Sequence, residues 1–356
     1  MGHRRSPTAG CRFAQLSVFV TITVAVIACK PLQEPTDDVI IDALAKPDPT
    51  VVAHSLCSEF ALPLDISFDK KPYARVSLGG KIVRLTVDTG AASESIIRKD
   101  IFDYPVNSEV VLHGFSFPTF SGGKFTVMDT GVVDLNEDAN GDKYTDDGVI
   151  GYNFLHFRNL EFHYDNPPYL GISAKPCSAA KLISAGFVPI DQHGFYPSSQ
   201  TPYDAVPIVY GKLDSVVFPV RIDTGFGEIP ASGDLLVNRA FTNMLRNRRL
   251  ELTRVDSTNN TNCRGVTISA VRWRTTDPHL FTIVSDINGD HTLFEYSSIT
   301  MVEKDPSDTC AFYTHSSIPT AWLGAVYLDR WKTLIIDPYS ERVWLKPNLM
   351  TTLSSR

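Results

Sequence analysis

The chain has 356 residues, enough for two ordinary domains or one large one. Hydrophobic residues make up 43% and charged residues 21%, which is close to the globular average and excludes global disorder and an extended coiled coil. The 33 Lys and Arg against 40 Asp and Glu give a net charge of −7, and no long basic run is present. We therefore expect no nucleic-acid partner.

The N-terminal residues are typical of an export signal. A basic stretch precedes an apolar run over residues 13–27, which is shorter than the roughly 20 residues of a membrane span. The run ends in Val26-Ile27-Ala28-Cys29, which resembles the lipobox of bacterial lipoproteins. The resemblance implies lipidation of Cys29, a membrane anchor and a place in the bacterial cell envelope. Ordinary cleavage with secretion, or an uncleaved anchor, remains the alternative.

Two stretches of the chain predict a pair of strands that leads into the tripeptide Asp-Thr-Gly. In the first, residues 74–78 and 82–87 flank a tight Gly79-Gly80 turn and lead to Asp88-Thr89-Gly90. In the second, residues 206–210 and 218–222 flank a turn near Gly211-Lys212 and lead to Asp223-Thr224-Gly225.

Each half of the chain also closes in the same way. Val149-Ile150-Gly151 follows the first tripeptide and Trp322-Leu323-Gly324 follows the second. Gly151 lies 63 residues after Asp88, and Gly324 lies 101 residues after Asp223. The pattern predicts a two-fold internal repeat with a longer insertion in the second copy.

The export signal and the repeat together predict how the chain is divided. The predicted segments are a signal over residues 1–28, a lipid-anchored tether over 29–56, an N-terminal lobe over 57–178, an inter-lobe linker over 179–203, a C-terminal lobe over 204–348 and a tail over 349–356.

The cysteines agree with export. Apart from one in the signal and Cys29, four remain: Cys57, Cys177, Cys263 and Cys310. An even number in an exported protein predicts two disulfides, and three pairings are possible. We favour Cys57 with Cys177 and Cys263 with Cys310, because each pair then lies within one half.

A strand, Asp-Thr-Gly and a later apolar-apolar-Gly form the pattern of aspartic proteases, and this chain resembles a single-chain, two-lobed member. Residues 147–155 are similar to bacterial retropepsin-like proteins, and residues 322–346 to the end of a pepsin C-terminal lobe. The resemblance implies an all-β fold of two β-barrel lobes related by a pseudo-two-fold axis, with the active cleft between them. It implies a peptide or protein substrate, and we expect no cofactor and a monomer.

The resemblance also implies a role for each residue of the motifs. Asp88 and Asp223 would be catalytic, because two carboxylates a few ångströms apart share one proton and so supply both a base and an acid. Neither role is assigned to one residue, since such a pair titrates as a unit. The supporting residues are Thr89, Gly90, Thr224 and Gly225 in the loops and Ile150, Gly151, Leu323 and Gly324 beneath them.

One residue departs from the family pattern and motivates a second hypothesis. Phe226 follows the second motif, where the family has a small residue or a hydroxyl, and its ring would either crowd the carboxylate or point into the core. In the first case the protein would be a catalytically inactive binding or scaffold module of the cell envelope.

Three further signals are weaker. Asp129-Thr130-Gly131 lacks the preceding hairpin and is interpreted as a strand end or turn near the flap. The residues around Ser121-Gly122-Gly123 predict either that flap or an ordinary exposed hairpin. A loop that offers Asn136, Asp138, Asn140 and Asp147 imitates a calcium site, but a solvated acidic loop is favoured, so no metal is expected.

Overall fold

Strands dominate the structure, a computed structural model whose described residues all lie within Asp37–Arg356. Among the described residues, no helix is long and apolar enough to cross a membrane. The predicted signal, Cys29, Cys263, Cys310 and the flap candidate lie outside the described residues. The described residues are 39–43, 55–67, 70–78, 80–91, 95–101, 109–113, 128–133, 146–155, 158–165, 167–192, 206–226, 234–261, 267–275, 280–296, 299–307 and 317–347.

The elements of the first half are short strands with two short helices. The strands are β1 (Val39–Ala43), β2 (Phe60–Ile66), β3 (Pro72–Leu78), β4 (Lys81–Asp88), β5 (Ser95–Arg98), β6 (Glu109–His113), β7 (Met128–Val133), β8 (Gly148–Gly151), β9 (Asn159–His163), β10 (Tyr169–Ser173) and β11 (Val188–Asp191). The helices are α1 (Tyr152–Leu155) and α2 (Ala179–Ser184).

The second half adds longer strands and two further helices. The strands are β12 (Ile208–Leu213), β13 (Val216–Ile222), β14 (Asp234–Val237), β15 (Leu252–Thr261), β16 (Thr267–Thr275), β17 (Phe281–Val284), β18 (Thr292–Tyr296), β19 (Thr300–Lys304), β20 (Ala321–Leu323), β21 (Thr333–Asp337) and β22 (Arg342–Leu345). The helices are α3 (Arg239–Asn247) and α4 (Ala325–Trp331).

The first predicted hairpin is confirmed. Strands β3 and β4 pair antiparallel and turn at Gly80, whose φ of +79° is a conformation that favours glycine. Val83, Leu85 and Val87 of β4 are at most 2% exposed, as the alternating pattern of the sequence predicts.

The second predicted hairpin is also present, but the predicted turn position is wrong. Strands β12 and β13 pair antiparallel and turn after Leu213, where Asp214 has a φ of +52°. Gly211 lies inside β12, where a Cβ would come within 2.9 Å of the rings of Phe218 and Phe281. This glycine therefore makes room for core aromatic rings instead of turning the chain.

The internal repeat is confirmed by the order of the strands. The order β6-β7-β5-β8-β4-β3 in the first half matches β16-β19-β14-β20-β13-β12 in the second. The pairings match too, since β4 with β8 and β13 with β20 are parallel, whereas β5 with β8 and β14 with β20 are antiparallel. The protein thus has the predicted all-β fold, in which two copies of one strand arrangement are joined.

An antiparallel run of six strands joins the two halves. Its order is β2-β10-β9-β21-β22-β11, and β9 of the first half pairs directly with β21 of the second. A main core cluster extends across both halves, from Phe60 and Val87 to Ile222 and Phe281. Burying side chains from both halves in one cluster holds the two copies in a fixed relation.

The predicted tether needs a correction at residues 39–43. They form β1, which pairs with β3 and with β6. An apolar Val-Ile-Ile run has strand propensity, and two open strand edges satisfy its backbone groups on both sides.

The disulfide between Cys57 and Cys177 is confirmed, with the two Cα atoms 5.0 Å apart. Beside it, the side chain of Glu161 is fully buried and accepts hydrogen bonds from two hydroxyls and two backbone N–H groups of residues 55–58. His163 Nε2 lies 2.6 Å from Glu161 Oε1. Burial alone would raise the pKa of Glu161, but these partners together lower it to about 2.

Replacing this carboxylate should weaken the protein at neutral pH. Because the pKa of Glu161 is lowered on folding, its ionisation stabilises the fold above about pH 4.5, and that stability is lost as the pH falls towards 2. We expect Glu161→Gln to reduce the free energy of unfolding by about 3 kcal/mol at pH 7, and the difference to shrink towards pH 2. Urea unfolding across this pH range measures it, with Glu295→Gln at an exposed position as the control. An equal loss at pH 7 and pH 2 would contradict the assigned cause.

Candidate active site

The two Asp-Thr-Gly loops have the same backbone surroundings. Asp88 ends β4, and Asp223 follows β13 directly. Gly151 of β8 lies opposite Asp88, while the N–H of Asp223 donates to the carbonyl of Leu323 at 2.9 Å. In both halves a parallel neighbour strand therefore supports the strand that presents the aspartate.

A second matched pair of hydrogen bonds fixes the far end of each loop. The N–H of Tyr152 donates to the carbonyl of Ala91 at 2.8 Å, and the N–H of Ala325 donates to the carbonyl of Phe226 at 2.8 Å. Each acceptor lies three residues after its aspartate, and each donor directly follows the equivalent glycine of its own repeat, Gly151 or Gly324. The far ends of the two loops are thus anchored in the same way, although Ala91 and Phe226 differ in size.

Reciprocal threonine hydrogen bonds join the loops. Thr89 Oγ1 donates to the carbonyl of Ile222 at 2.7 Å and accepts from the N–H of Thr224 at 3.1 Å. Thr224 Oγ1 donates to the carbonyl of Val87 at 2.5 Å and accepts from the N–H of Thr89 at 3.0 Å. Both threonines are fully buried, so each of these polar groups needs its partner. The four bonds fix the relative position of the two strand ends.

The two carboxyl groups meet where the loops cross. The side chains of Asp88 and Asp223 hydrogen-bond each other, and both residues keep partial solvent exposure. A Cβ at Gly90 would overlap the carboxyl of Asp223, and a Cβ at Gly225 would overlap the carboxyl of Asp88. Each glycine is therefore required because the opposite carboxyl occupies the space of a side chain.

The described residues donate different backbone hydrogen bonds to the two carboxyls. Asp88 Oδ1 accepts from the N–H groups of Gly90 at 2.7 Å and Ala91 at 3.1 Å, whereas Asp223 Oδ1 accepts from that of Gly225 at 3.0 Å. Burial raises the pKa of Asp88, opposed by its hydrogen bonds. Burial and then the negative charge of Asp88 raise the pKa of Asp223 well above its usual value. The pair therefore retains one proton at a pH where isolated carboxyls have lost theirs.

The ring of Phe226 packs against apolar residues. It contacts a small apolar cluster that includes Leu236, Val302 and Trp322, and a Cβ at Gly324 would come within 2.7 Å of Phe226 Cδ1. Of the two orientations that the sequence leaves open, the structure shows the ring partly buried against this cluster. The mutual contact of the aspartates is consistent with this placement.

The residues beneath the loops include one that the sequence analysis missed. Ile150 is 1% exposed and Leu323 is fully buried, and both belong to the main core cluster. Below the first loop, Ser95 Oγ also accepts a hydrogen bond from the N–H of Gly151 at 2.8 Å, and Ser95 is fully buried. A lone serine in a loop-rich stretch carries no pattern, so only the fold reveals this support.

The weaker candidates lie elsewhere. Asp129-Thr130-Gly131 forms the middle of β7 between β5 and β6, so its interpretation as a strand end or turn is wrong. The carboxylate of Asp147 accepts a hydrogen bond from the N–H of Arg84 at 2.8 Å and forms an ion pair with Arg98 at 3.2 Å. Asp147 is one of the predicted calcium ligands, and these two contacts already engage its carboxylate. The other ligands of that site, Asn136, Asp138 and Asn140, lie outside the described residues, among which no metal-binding cluster occurs.

Comparisons with known proteins return structural matches only. No protein-family model matches the chain, and no curated protein matches it. It is similar to the crystal structure of an aspartic proteinase from Irpex lacteus, with 13% sequence identity and a TM-score of 0.41 over 83% of this chain and 99% of that one. It is also similar to the crystal structure of Basic 7S globulin from soybean, with 11% identity and a TM-score of 0.36 over 81% and 94% of the two chains. Likeness at this level carries no functional argument, so the function must be inferred from the geometry of the two loops.

Proposed function

We propose that the protein is an aspartic endopeptidase in which Asp88 and Asp223 activate a water molecule. One observation carries the proposal: two carboxyls from equivalent loops hydrogen-bond each other at a place that is still partly open to solvent. Burial and mutual repulsion make such a pair share a proton, which supplies a general base and a general acid side by side.

The proposed reaction uses only these two groups and one water molecule. The ionised carboxylate accepts a proton from the water as its oxygen attacks the carbonyl carbon of the peptide, while the protonated carboxyl donates its proton to the carbonyl oxygen. The carboxyl that took the proton from water then donates it to the amide nitrogen, the other carboxylate takes a proton from a hydroxyl of the tetrahedral intermediate, the C–N bond breaks, and an acid and an amine are released. The pair again holds a single proton, so the cycle closes without a cofactor.

The fixed arrangement of the two carboxyls supports a peptidase over a binding module. The threonine hydrogen bonds and the glycine contacts hold the carboxyls in one arrangement, as positioned catalysis requires. The binding-module hypothesis was motivated by Phe226, whose ring packs on Gly324 and leaves the carboxyls in contact.

Peptide cleavage tests the proposal directly. We expect the full chain to cut members of a mixed peptide library between about pH 3 and pH 6, with loss of activity at higher pH as the shared proton leaves the pair. Pepstatin, an inhibitor of aspartic proteases, should block the cuts, which mass spectrometry detects. Absence of cleavage at every pH would overturn the proposal in favour of the binding module, and pepstatin-insensitive cleavage would point to other catalytic groups.

A further inference from the structure

Strand β1 closes a ring of strands in the first half. Strand β1 pairs with both outer strands of the run β6-β7-β5-β8-β4-β3. It shares the edge of β3 with β2, which pairs with residues 72–74 while β1 pairs with residues 76–78. It is antiparallel to β3, with Ile41 opposite Leu78, and parallel to β6, with Ile40 opposite His113. Seven strands thus form a closed barrel, and β1 is its last member.

The closing strand does not belong to the repeated unit. In the second half, β15 lies beside β16 and β17 lies beside β12, and among the described strands none pairs with both β12 and β16. The first barrel is therefore completed by a segment that precedes the disulfide at Cys57. Residues 44–54 link β1 covalently to the described residues that follow it.

The space that β1 occupies is the width of one strand. Neighbouring strands lie about 4.8 Å apart, so the edges of β3 and β6 stand roughly 9–10 Å apart with β1 between them. On the side opposite β1, β3 pairs with β4 and β6 pairs with β7, so both edges are held in place. An extended peptide added to such an edge is recognised through its backbone N–H and C=O groups.

The position of β1 separates it from the aspartates. It meets β3 at Val76, Ser77 and Leu78, which pair with residues 81–83 at the start of β4. Asp88 lies five to seven residues further along β4, roughly 17–24 Å away at the rise of an extended strand. Occupation of this position therefore leaves the carboxyl pair uncovered.

We propose that β3 and β6 form a binding slot for one extended peptide strand, which Val39–Ala43 fills in cis and which accepts the same segment in trans once the chain is cut within residues 44–54. The proposal concerns the barrel and is independent of the proposed peptidase function. It gives the N-terminal segment the role of a retained structural ligand, and cutting the link exposes a strand-binding surface without changing access to the carboxyl pair.

The test uses the full chain with a recognition sequence for a specific protease placed within residues 46–52. An Asp88→Asn background keeps the probe intact whether or not the protein is a peptidase. The probe is a fluorescent peptide of residues 37–45, and anisotropy measures its binding. We expect saturable binding to the cut protein, at least ten-fold weaker binding to the uncut protein, and at least ten-fold weaker binding of an Ile41→Pro peptide, because proline lacks the N–H and disrupts strand pairing.

Controls keep the outcome decisive. An Ile41→Val peptide preserves strand propensity and should bind as well as the natural sequence. In the uncut chain, Ile41→Pro should weaken the cis strand and let the natural peptide bind. The proposal is overturned if the natural peptide binds neither the cut protein nor the uncut Ile41→Pro protein. It is also overturned if the proline peptide binds the cut protein as well as the natural peptide does, or if the natural peptide binds the uncut and the cut protein equally well.

Discussion

Replacement of either Asp88 or Asp223 by asparagine should abolish peptide cleavage. Asparagine fills the same volume but neither accepts a proton as a base nor gives one up as an acid, and the proposed reaction needs both functions in one pair. Each single variant should therefore reduce kcat/KM by at least about 10²–10⁴-fold, and the double variant should be little worse than either one. Cleavage of a peptide identified in the library assay provides the measurement.

The stability of these variants is the control for that experiment. The pKa of each aspartate is raised on folding, so the folded protein binds a proton more tightly than the unfolded chain. This contribution to stability is complete below about pH 4 and is lost as the pH rises through the raised pKa values. Asparagine does not ionise, so both variants should lose less stability than the natural protein between pH 3 and pH 7.

Melting temperatures at the two pH values measure this effect. A variant that is inactive and at least as stable as the natural protein at pH 7 has lost chemistry and not its fold. If either variant retained full turnover, the assignment of that aspartate would be wrong, even if the protein proved to be a peptidase.

Thr224→Val should damage both stability and activity. Valine has nearly the shape of threonine, but it leaves the N–H of Thr89 and the carbonyl of Val87 without partners in a fully buried place. Each unsatisfied buried group costs about 1–3 kcal/mol, so we expect a loss of about 2–5 kcal/mol in the free energy of unfolding. The carboxyls would also lose their fixed separation, and a misplacement of about 1 Å is enough to lower the rate roughly 10²-fold.

The matched control is Thr224→Ser, which keeps the hydroxyl and should retain most of the stability and activity. Thr89→Val should repeat the result of Thr224→Val, because the hydrogen bonds to Ile222 and Thr224 are the equivalent pair. Urea unfolding and peptide cleavage on the same samples measure both effects. A Thr224→Val protein with unchanged stability would show that the buried bonds do not hold the loops together.

Local patterns were sufficient for the elements that present the candidate site. Alternating apolar residues predicted β4 and β13, and the repeated tripeptide predicted that both strands end in equivalent loops. The pattern failed at Gly211, because glycine suits both a turn and a strand position beside a large side chain. Only the contacts with Phe218 and Phe281 distinguish these cases.

Other parts of the structure could not be predicted from patterns in the sequence. The hydrogen bonds of Glu161 join residues more than 100 positions apart, and a single glutamate in a strand has no distinctive spacing. The pairing of β1 likewise depends on two strand edges that become neighbours only after the barrel forms. Such contacts arise from the fold as a whole, so composition and periodicity do not encode them visibly.

The sequence by itself determined the all-β class, the two-fold repeat and the two residues on which the proposed chemistry depends. It did so because strand period, turn residues and a duplicated motif are local properties of the chain. Only the tertiary structure decided that the two carboxyls meet, that the ring of Phe226 packs against Gly324, and that residues 39–43 complete a barrel. These outcomes depend on which distant groups share the limited space of a packed interior, and that competition is resolved only when both halves fold together.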